Sequence, residues 1–245
     1  RQGFKTAFRV VADDVHLGGT LGRYAVKELK GKSIAVIDDR TAYGQGVADE
    51  FEKGVKGAGG TVVGREFTND KATDFTAILT SLKAKNPDIV FFGGMDAVGG
   101  PMLRQMKQLG INAKMMGGDG ICTAELPKLA AGTMADSQVV CAEAGGIEGT
   151  GKQAMEGCVK RYEAKFGTNV KLYAPYVYDA VMVMVDSMVK AGSADPAKYL
   201  PELAKANHKG ITGQIAFDSK GDIKNGALTL YTFKGGNREQ IAVVR

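Results

Sequence analysis

Apolar positions follow two rhythms along this chain, and the rhythms alternate. Ser33-Ile34-Ala35-Val36-Ile37-Asp38 is an unbroken apolar run ending in acid, and Val47, Phe51 and Val55 then recur one helical turn apart. The first pattern predicts a strand buried on both faces, the second an amphipathic helix. The pair recurs with strands over 61–67, 88–92 and 114–117. The helices between them carry Phe75, Ile78, Leu79 and Leu82, then Met102, Leu103, Met106 and Leu109, then a short piece over 124–129. A further strand is expected over 138–141. Ahead of this series, residues 4–11 look strand-like through Phe8, Val10 and Val11. Asp13-Asp14 then offers an N-cap for a helix carrying Val15, Leu17, Leu21, Tyr24, Ala25 and Leu29. Gly18-Gly19 should weaken that helix near its start, and Lys30-Gly31-Lys32 should stop it. Strands alternating with helices predict an α/β fold built on a parallel sheet with right-handed crossovers.

After residue 142 the rhythm breaks. Three helices are expected in succession over 152–166, 174–190 and 196–206, with strands only at 211–217, 227–233 and 241–244. The last two read equally as a hairpin or as additions to the earlier sheet. Residues 6–140 can supply a whole α/β layer. The late helices carry apolar stripes (Val159, Tyr162 and Phe166; Val177, Val181, Met184 and Met188), yet most of the sheet such helices need is missing from the chain.

Composition narrows the function. Of the 245 residues, 44% are hydrophobic and 24% charged, enough for a substantial core. No run approaches the ~20 apolar residues that span a bilayer. The most apolar helix, over 173–189, is interrupted by Asp179 and Asp186, so the chain is expected not to cross a membrane. The formal charge is +5, but 32 basic residues are interleaved with 27 acidic ones without a basic block, which argues against nucleic acid. His16 and His208 read as surface residues, and Cys122, Cys141 and Cys158 contain no C-x-x-C pair, so no zinc site is expected. Three cysteines suit either an oxidising compartment, with one disulfide and one free thiol, or the cytosol, with three buried thiols. The first residue is Arg1 and no leader-like segment follows, so the chain is expected to begin inside a larger product or after processing.

Catalytic signatures are weak. Gly146-Ile147-Glu148-Gly149-Thr150-Gly151-Lys152 matches a phosphate-loop spacing, but Gln153 stands where the magnesium-binding hydroxyl belongs; a flexible connecting loop is the better reading. Gly44-Gln45-Gly46 starts a dinucleotide fingerprint whose third glycine is Asp49. No serine lies in G-x-S-x-G. Asp38, Asp39, Asp96 and Asp119 are conceivable metal ligands, but read better as helix caps or as partners of a cationic ligand group. No cofactor and no metal are expected.

Three strand-end turns remain: Arg40-Thr41-Ala42-Tyr43-Gly44-Gln45-Gly46, Gly93-Gly94-Met95-Asp96 and Gly117-Gly118-Asp119-Gly120. A parallel sheet places such turns on one edge, where α/β proteins bind ligands. At these turns the chain resembles the periplasmic branched-chain amino-acid-binding proteins, the leucine/isoleucine/valine-type receptors of ABC importers. Gln2-Gly3-Phe4, Phe8-Arg9, the preceding Asp38-Asp39 and Phe92, and the late Gly213-Gln214-Ile215-Ala216-Phe217-Asp218-Ser219-Lys220-Gly221-Asp222 carry the same likeness.

The resemblance implies two α/β lobes joined by three crossovers, near Ala12-Asp13, within 141–145 and within 224–227. The second lobe would be 14–143 plus 227–245. The rest, 1–13 plus 144–226, would belong to a first lobe whose signal peptide and front portion lie outside this sequence. It implies a non-catalytic periplasmic receptor that captures a small amino acid, branched-chain or otherwise apolar, and delivers it to a membrane permease. The alternatives are a ligand-sensing regulatory domain of the same fold or, from another class, a nucleotide-binding enzyme. Ligand-binding residues by this likeness are Tyr43, Gly94, Met95 and Asp119. Asp119 would take the ligand's ammonium, and Met95 stands where the family carries an aromatic. Adjacent parallel strands would bring Cys122 and Cys141 within the ~4.4–6.8 Å Cα separation of a disulfide, leaving Cys158 free.

Overall fold

The computed structural model describes residues 3–146, 150–168, 170 and 173–244. The chain divides into two compact units. The larger takes Asp14–Ala144 and Leu228–Val244; the other takes the described residues up to Asp13 and those within Gly145–Ala227. The chain thus changes unit three times.

The larger unit begins with α1 (Asp14–Lys27) and then runs β1 (Ile34–Asp38), α2 (Ala42–Gly57), β2 (Val62–Phe67), α3 (Thr76–Lys83), β3 (Ile89–Gly93) and α4 (Asp96–Gln108). It continues with β4 (Lys114–Gly117), a 3-10 turn at Asp119–Ile121, α5 (Leu126–Leu129) and β5 (Val139–Ala144). The other unit holds α6 (Thr150–Phe166), α7 (Ala174–Ala191), α8 (Pro196–Ala204), β6 (Asn207–Lys209) and β7 (Gln214–Ala216). The chain then returns to the larger unit for β8 (Leu228–Lys234) and β9 (Asn237–Val244). Seven strands form one sheet in the order β2-β1-β3-β4-β5-β8-β9. The first five run parallel, and β8 and β9 join antiparallel. The two readings left open for the last strands are both true: they form a hairpin and extend the earlier sheet. Lys234 pairs with Asn237 across Gly235-Gly236, both at positive φ, a tight two-residue turn that favours glycine.

Every residue of β1 and β3 is buried, as unbroken apolar runs in a covered parallel sheet require. Helices sandwich these strands. Phe51 of α2 stacks on Phe91 of β3 with ring centroids 3.9 Å apart, while Leu79, Met102 and Met106 pack with Phe92 in the core cluster. The glycines of α1 mark close helix packing, where weakening was expected. A Cβ at Gly18 would lie 2.5 Å from the Val47 carbonyl oxygen, and one at Gly22 2.7 Å from the Val55 amide. Only hydrogen fits between these two helices.

In the other unit the expected strand over 4–11 does not form. Arg9 makes a lone bridge to Asp222, and Phe8 instead packs edge-on against Phe217 at 5.0 Å. The strand expected over 211–217 shortens to β7, because the buried Asp179 carboxylate takes the amides of Ile211 and Thr212 at 2.9 and 2.7 Å. Its partner β6 lies just past the helix expected over 196–206, where no strand was expected. His16 and His208, expected at the surface, are half-buried; His208 Nδ1 lies 3.6 Å from Asp186. The exposed stripe of α7 is Val177, Val181, Val185 and Val189, with Tyr178 and Met182 beside it. Met184 and Met188, placed on that stripe by periodicity, are half-buried, and Tyr199 Oη reaches Met184 Sδ at 3.9 Å. The phosphate-loop candidate has its residues 147–149 outside the described ones. Among the described residues no helix is long and apolar enough to cross a membrane.

Candidate functional site

The three glycine-bearing turns follow β1, β3 and β4 at the carboxyl edge of the larger unit's sheet, and they touch one another. The Asp39 amide donates to the Gly93 carbonyl at 3.0 Å. A Cβ at Gly44 would lie 2.5 Å from that carbonyl oxygen, and one at Gly93 would run into the carbonyl of Gly44. A Cβ at Gly120 would likewise run into the Gly94 carbonyl and approach Met95 Sδ at 3.0 Å. The glycines therefore permit backbone-to-backbone packing of the first turn on the second and the second on the third.

Tyr43 and Asp119 meet across this packing. Thr41 caps α2, its Oγ1 accepting from the Gly44 amide at 2.9 Å and donating to Asp39 Oδ1 at 2.6 Å. That cap places Tyr43 on the first turn of the helix. Its hydroxyl donates to Asp119 Oδ1 at 2.8 Å and accepts from the Gly120 amide at 3.2 Å. Gly118 leaves room for the phenol: a Cβ there would lie 2.6 Å from Tyr43 Oη. Asp119 and Tyr43 are half-buried and Met95 is exposed, so the edge combines an oriented carboxylate with a flexible apolar side chain. Gly94 is buried and contributes backbone packing.

The other strand-end carboxylates have partners in the protein. Asp38 Oδ2 pairs with Arg65 at 2.8 Å, Asp39 Oδ1 accepts from the Thr41 amide at 3.0 Å, and Asp96 Oδ2 accepts from Thr123 Oγ1 at 2.5 Å. Asp49, at the third glycine position of the dinucleotide pattern, is 2.7 Å from Arg65. Among the described residues no three potential ligands gather into a metal site. Cys122, just past the third turn, is disulfide-bonded to Cys141 on β5 with Cα atoms 5.4 Å apart, and Cys158 is free.

The model described as periplasmic binding protein matches residues 2–237. The chain belongs to that family. The resemblance read from its strand-end turns therefore holds. It is 32% identical over 241 residues to the leucine-, isoleucine-, valine-, threonine- and alanine-binding protein of Pseudomonas aeruginosa, covering 98% of this chain and 64% of that one. It is 32% identical over 238 residues to a Leu/Ile/Val-binding protein homolog of Brucella abortus, covering 96% and 62%. The crystal structure of a leucine-binding protein, LivK, from Thermotoga maritima superposes with a TM-score of 0.88 at 28% identity, covering 99% of this chain and 69% of that one. The chain thus spans less than two thirds of the length of these two binding-protein relatives.

Within this periplasmic binding protein chain one feature of the edge escaped the sequence. Register pairs Gly117 with Cys141, so Glu143, two residues on, projects past the end of β4 on the face that carries the disulfide. Arg238 of β9 donates to Glu143 Oε2 at 2.6 Å and to the Cys122 carbonyl at 2.8 Å, with its guanidinium 4.7 Å from the Tyr231 ring centroid. Burial pushes the Glu143 carboxyl up, Arg238 pulls it down, and the charge of Asp119 pushes it up again. Nothing in the local sequence pairs residue 143 with residue 238. Only the antiparallel return of β8 and β9 beside β5 brings them together.

Proposed function

We propose that the larger unit is one wall of an amino-acid-binding cleft and that the protein is the solute receptor of an ABC importer. In this reading it works in the periplasm, holds an apolar, branched-chain-type amino acid without chemistry, and hands it to a membrane permease. The larger unit is the complete second lobe, and the smaller unit is part of the first. The observation that carries the reading is the Tyr43–Asp119 pair at the sheet's carboxyl edge. Tyr43 orients the Asp119 carboxylate, and a carboxylate so held forms charge-assisted hydrogen bonds with an ammonium group. Exposed Met95 beside it suits an apolar side chain. The names of the relatives support the ligand class, and the Cys122–Cys141 disulfide suits an oxidising compartment. The test is titration calorimetry of leucine on the full-length protein. Asp119→Ala should weaken binding by about 3–5 kcal/mol, the cost of breaking a desolvated charge pair. Tyr43→Ala should cost less, since packing and one hydrogen bond are lost. Unchanged affinity in Asp119→Ala refutes the assignment.

A further inference from the structure

At the opposite edge of the larger unit's sheet, the loops that lead into β1, β3 and β4 form a cavity of about 630 Å³. Its lining includes Lys30, Lys32, Lys83 and Lys114, and one carboxylate, Asp88. We propose that this cavity is an anion site for a soluble polyphosphate, the class of ion that pyrophosphate represents. The inference is independent of the amino-acid reading: the two edges stand a strand length apart, about 16 Å for the five residues of β1.

Hydrogen bonds gather these loops around Asp88. Its Oδ2 accepts from the amides of Lys32 and Ser33 at 2.9 and 3.0 Å, and its carbonyl accepts from the Lys114 amide at 2.9 Å. The Lys83 carbonyl accepts from the Asn86 amide at 2.9 Å, which ties the end of α3 to the same rim. Two of the ammonium groups have a carbonyl partner: Lys30 Nζ donates to Lys27 at 2.5 Å and Lys114 Nζ to Ser137 at 2.8 Å. A carbonyl cancels no charge, and each of these ammoniums keeps two further N–H donors. Among the described residues none of the four lysines makes a salt bridge, unlike Lys53, Lys56 and Lys128 elsewhere in the unit. The two amides, and more weakly the charge of Lys32, hold the Asp88 carboxyl below the usual carboxylate range, so it counts as a full negative charge. Four ammoniums against one carboxylate leave a surplus of three. The ends of α1, α3 and α4 lie just before these loops and subtract about half a charge each, so the balance stays positive. No arginine lines the cavity. Lysine is a compact point charge without the planar fork by which arginine reads a carboxylate, so a cluster of lysines alone selects charge density, which phosphate supplies. The volume falls within the range of small-molecule sites, about 300–1,000 Å³.

The test is titration of pyrophosphate, orthophosphate and citrate into the full-length protein at fixed ionic strength, by calorimetry and by amide NMR. Pyrophosphate should bind about tenfold more tightly than either of the others. It should shift the amides of residues 30–33, 88 and 110–114 and leave those of 42–46 and 117–120 in place. The double variant Lys32→Gln/Lys83→Gln, which changes two exposed side chains, should weaken pyrophosphate by about tenfold or more. Lys53→Gln, which removes a charge from α2 outside the cavity, should leave the affinity unchanged. Asp88→Asn keeps an oxygen for the two amides but loses the charge, and should tighten binding by about fivefold. Should Asp88→Asn fail to fold, the lysine variants still decide. The proposal is overturned by the lack of saturable binding, by citrate binding as tightly as pyrophosphate, or by Lys53→Gln weakening it as much as the double variant. Shifts confined to 42–46 and 117–120 would put the anion at the other edge and overturn it equally. Leucine affinity should be the same in the double variant as in the unaltered protein, so this proposal and the amino-acid reading fail separately.

Discussion

The two units solve the burial problem differently. In the larger one, helices cover both faces of the central strands of a seven-stranded sheet, and Phe51, Phe91, Phe92 and Leu82 are fully buried. Among its described residues the other has three helices and two three-residue strands, and its core cluster is small: Val183, Leu203, Ala206, Ile215 and Phe217, with Phe8 and Val10 against it. There α7 leaves Val177 at 60% and Val189 at 73% exposure, whereas no apolar residue of β1, β3 or β4 is exposed. A buried polar anchor partly stands in for apolar bulk: Asp179, wholly buried, holds the loop before β7 through Ile211 and Thr212. The difference teaches that sheet area decides how much helix surface can be dry.

Five substitutions sharpen or break this contrast. The largest effect is expected at Phe91. Phe91→Ala should destabilise the larger unit by about 3–5 kcal/mol, whereas Val189→Ala should stay within about 0.5 kcal/mol. Urea unfolding followed by circular dichroism measures both, and comparable losses would show that α7 is covered after all. Next comes Asp179→Ala, which strands two amides and a hydroxyl and should cost about 3 kcal/mol. Hydrogen exchange should then accelerate at Ile211 and Thr212 and stay slow in β1 and β3; acceleration in both places would mean that the units unfold as one. The smallest pair lies within the larger unit. Gly22→Ala, against the backbone of α2, should lose about 1–3 kcal/mol through overpacking. Gly57→Ala, with open space around it, should gain up to about 1 kcal/mol in helix propensity. Thermal melts of the two variants moving in the same direction would contradict the close crossing of α1 and α2.

Much of the larger unit was legible because its signals are local. The run from Ile34 to Asp38 can only be a covered strand, and Val47, Phe51 and Val55 can only face it. The pairing of Cys122 with Cys141 followed from adjacent parallel strands. What escaped depends on contacts distant in sequence. Residues 4–11 carry strand-like apolar positions, but Phe8 finds Phe217 and only Arg9 makes a bridge, to Asp222. The 207–209 strand has no apolar signature and forms because 214–216 needs a partner. The turn residues of the candidate site could be named from sequence, Gly94 among them as a ligand-binding residue, but the packing role of their glycines could not. Their role is to let three turns pack backbone to backbone. Glu143 and Arg238 were invisible, since an isolated acid and an isolated base say nothing until a strand pairing joins them.

The hairpin of β8 and β9 also sets an order of events during synthesis. It lies on the outer edge of β5, yet the whole of Gly145–Ala227 leaves the ribosome between them. Until Leu228 emerges, the ladder from Val140 to Ala144 is an open edge with unpaired amides and carbonyls, the kind of edge onto which other chains add. The Cys122–Cys141 bond needs none of the late chain, being only 19 residues long in sequence. Once the chain reaches an oxidising compartment, that bond can pin β5 to the third turn without the late chain. A chain kept reduced would hold that edge open with one fewer constraint, and the vulnerable interval falls there, before Leu228–Val244 arrives.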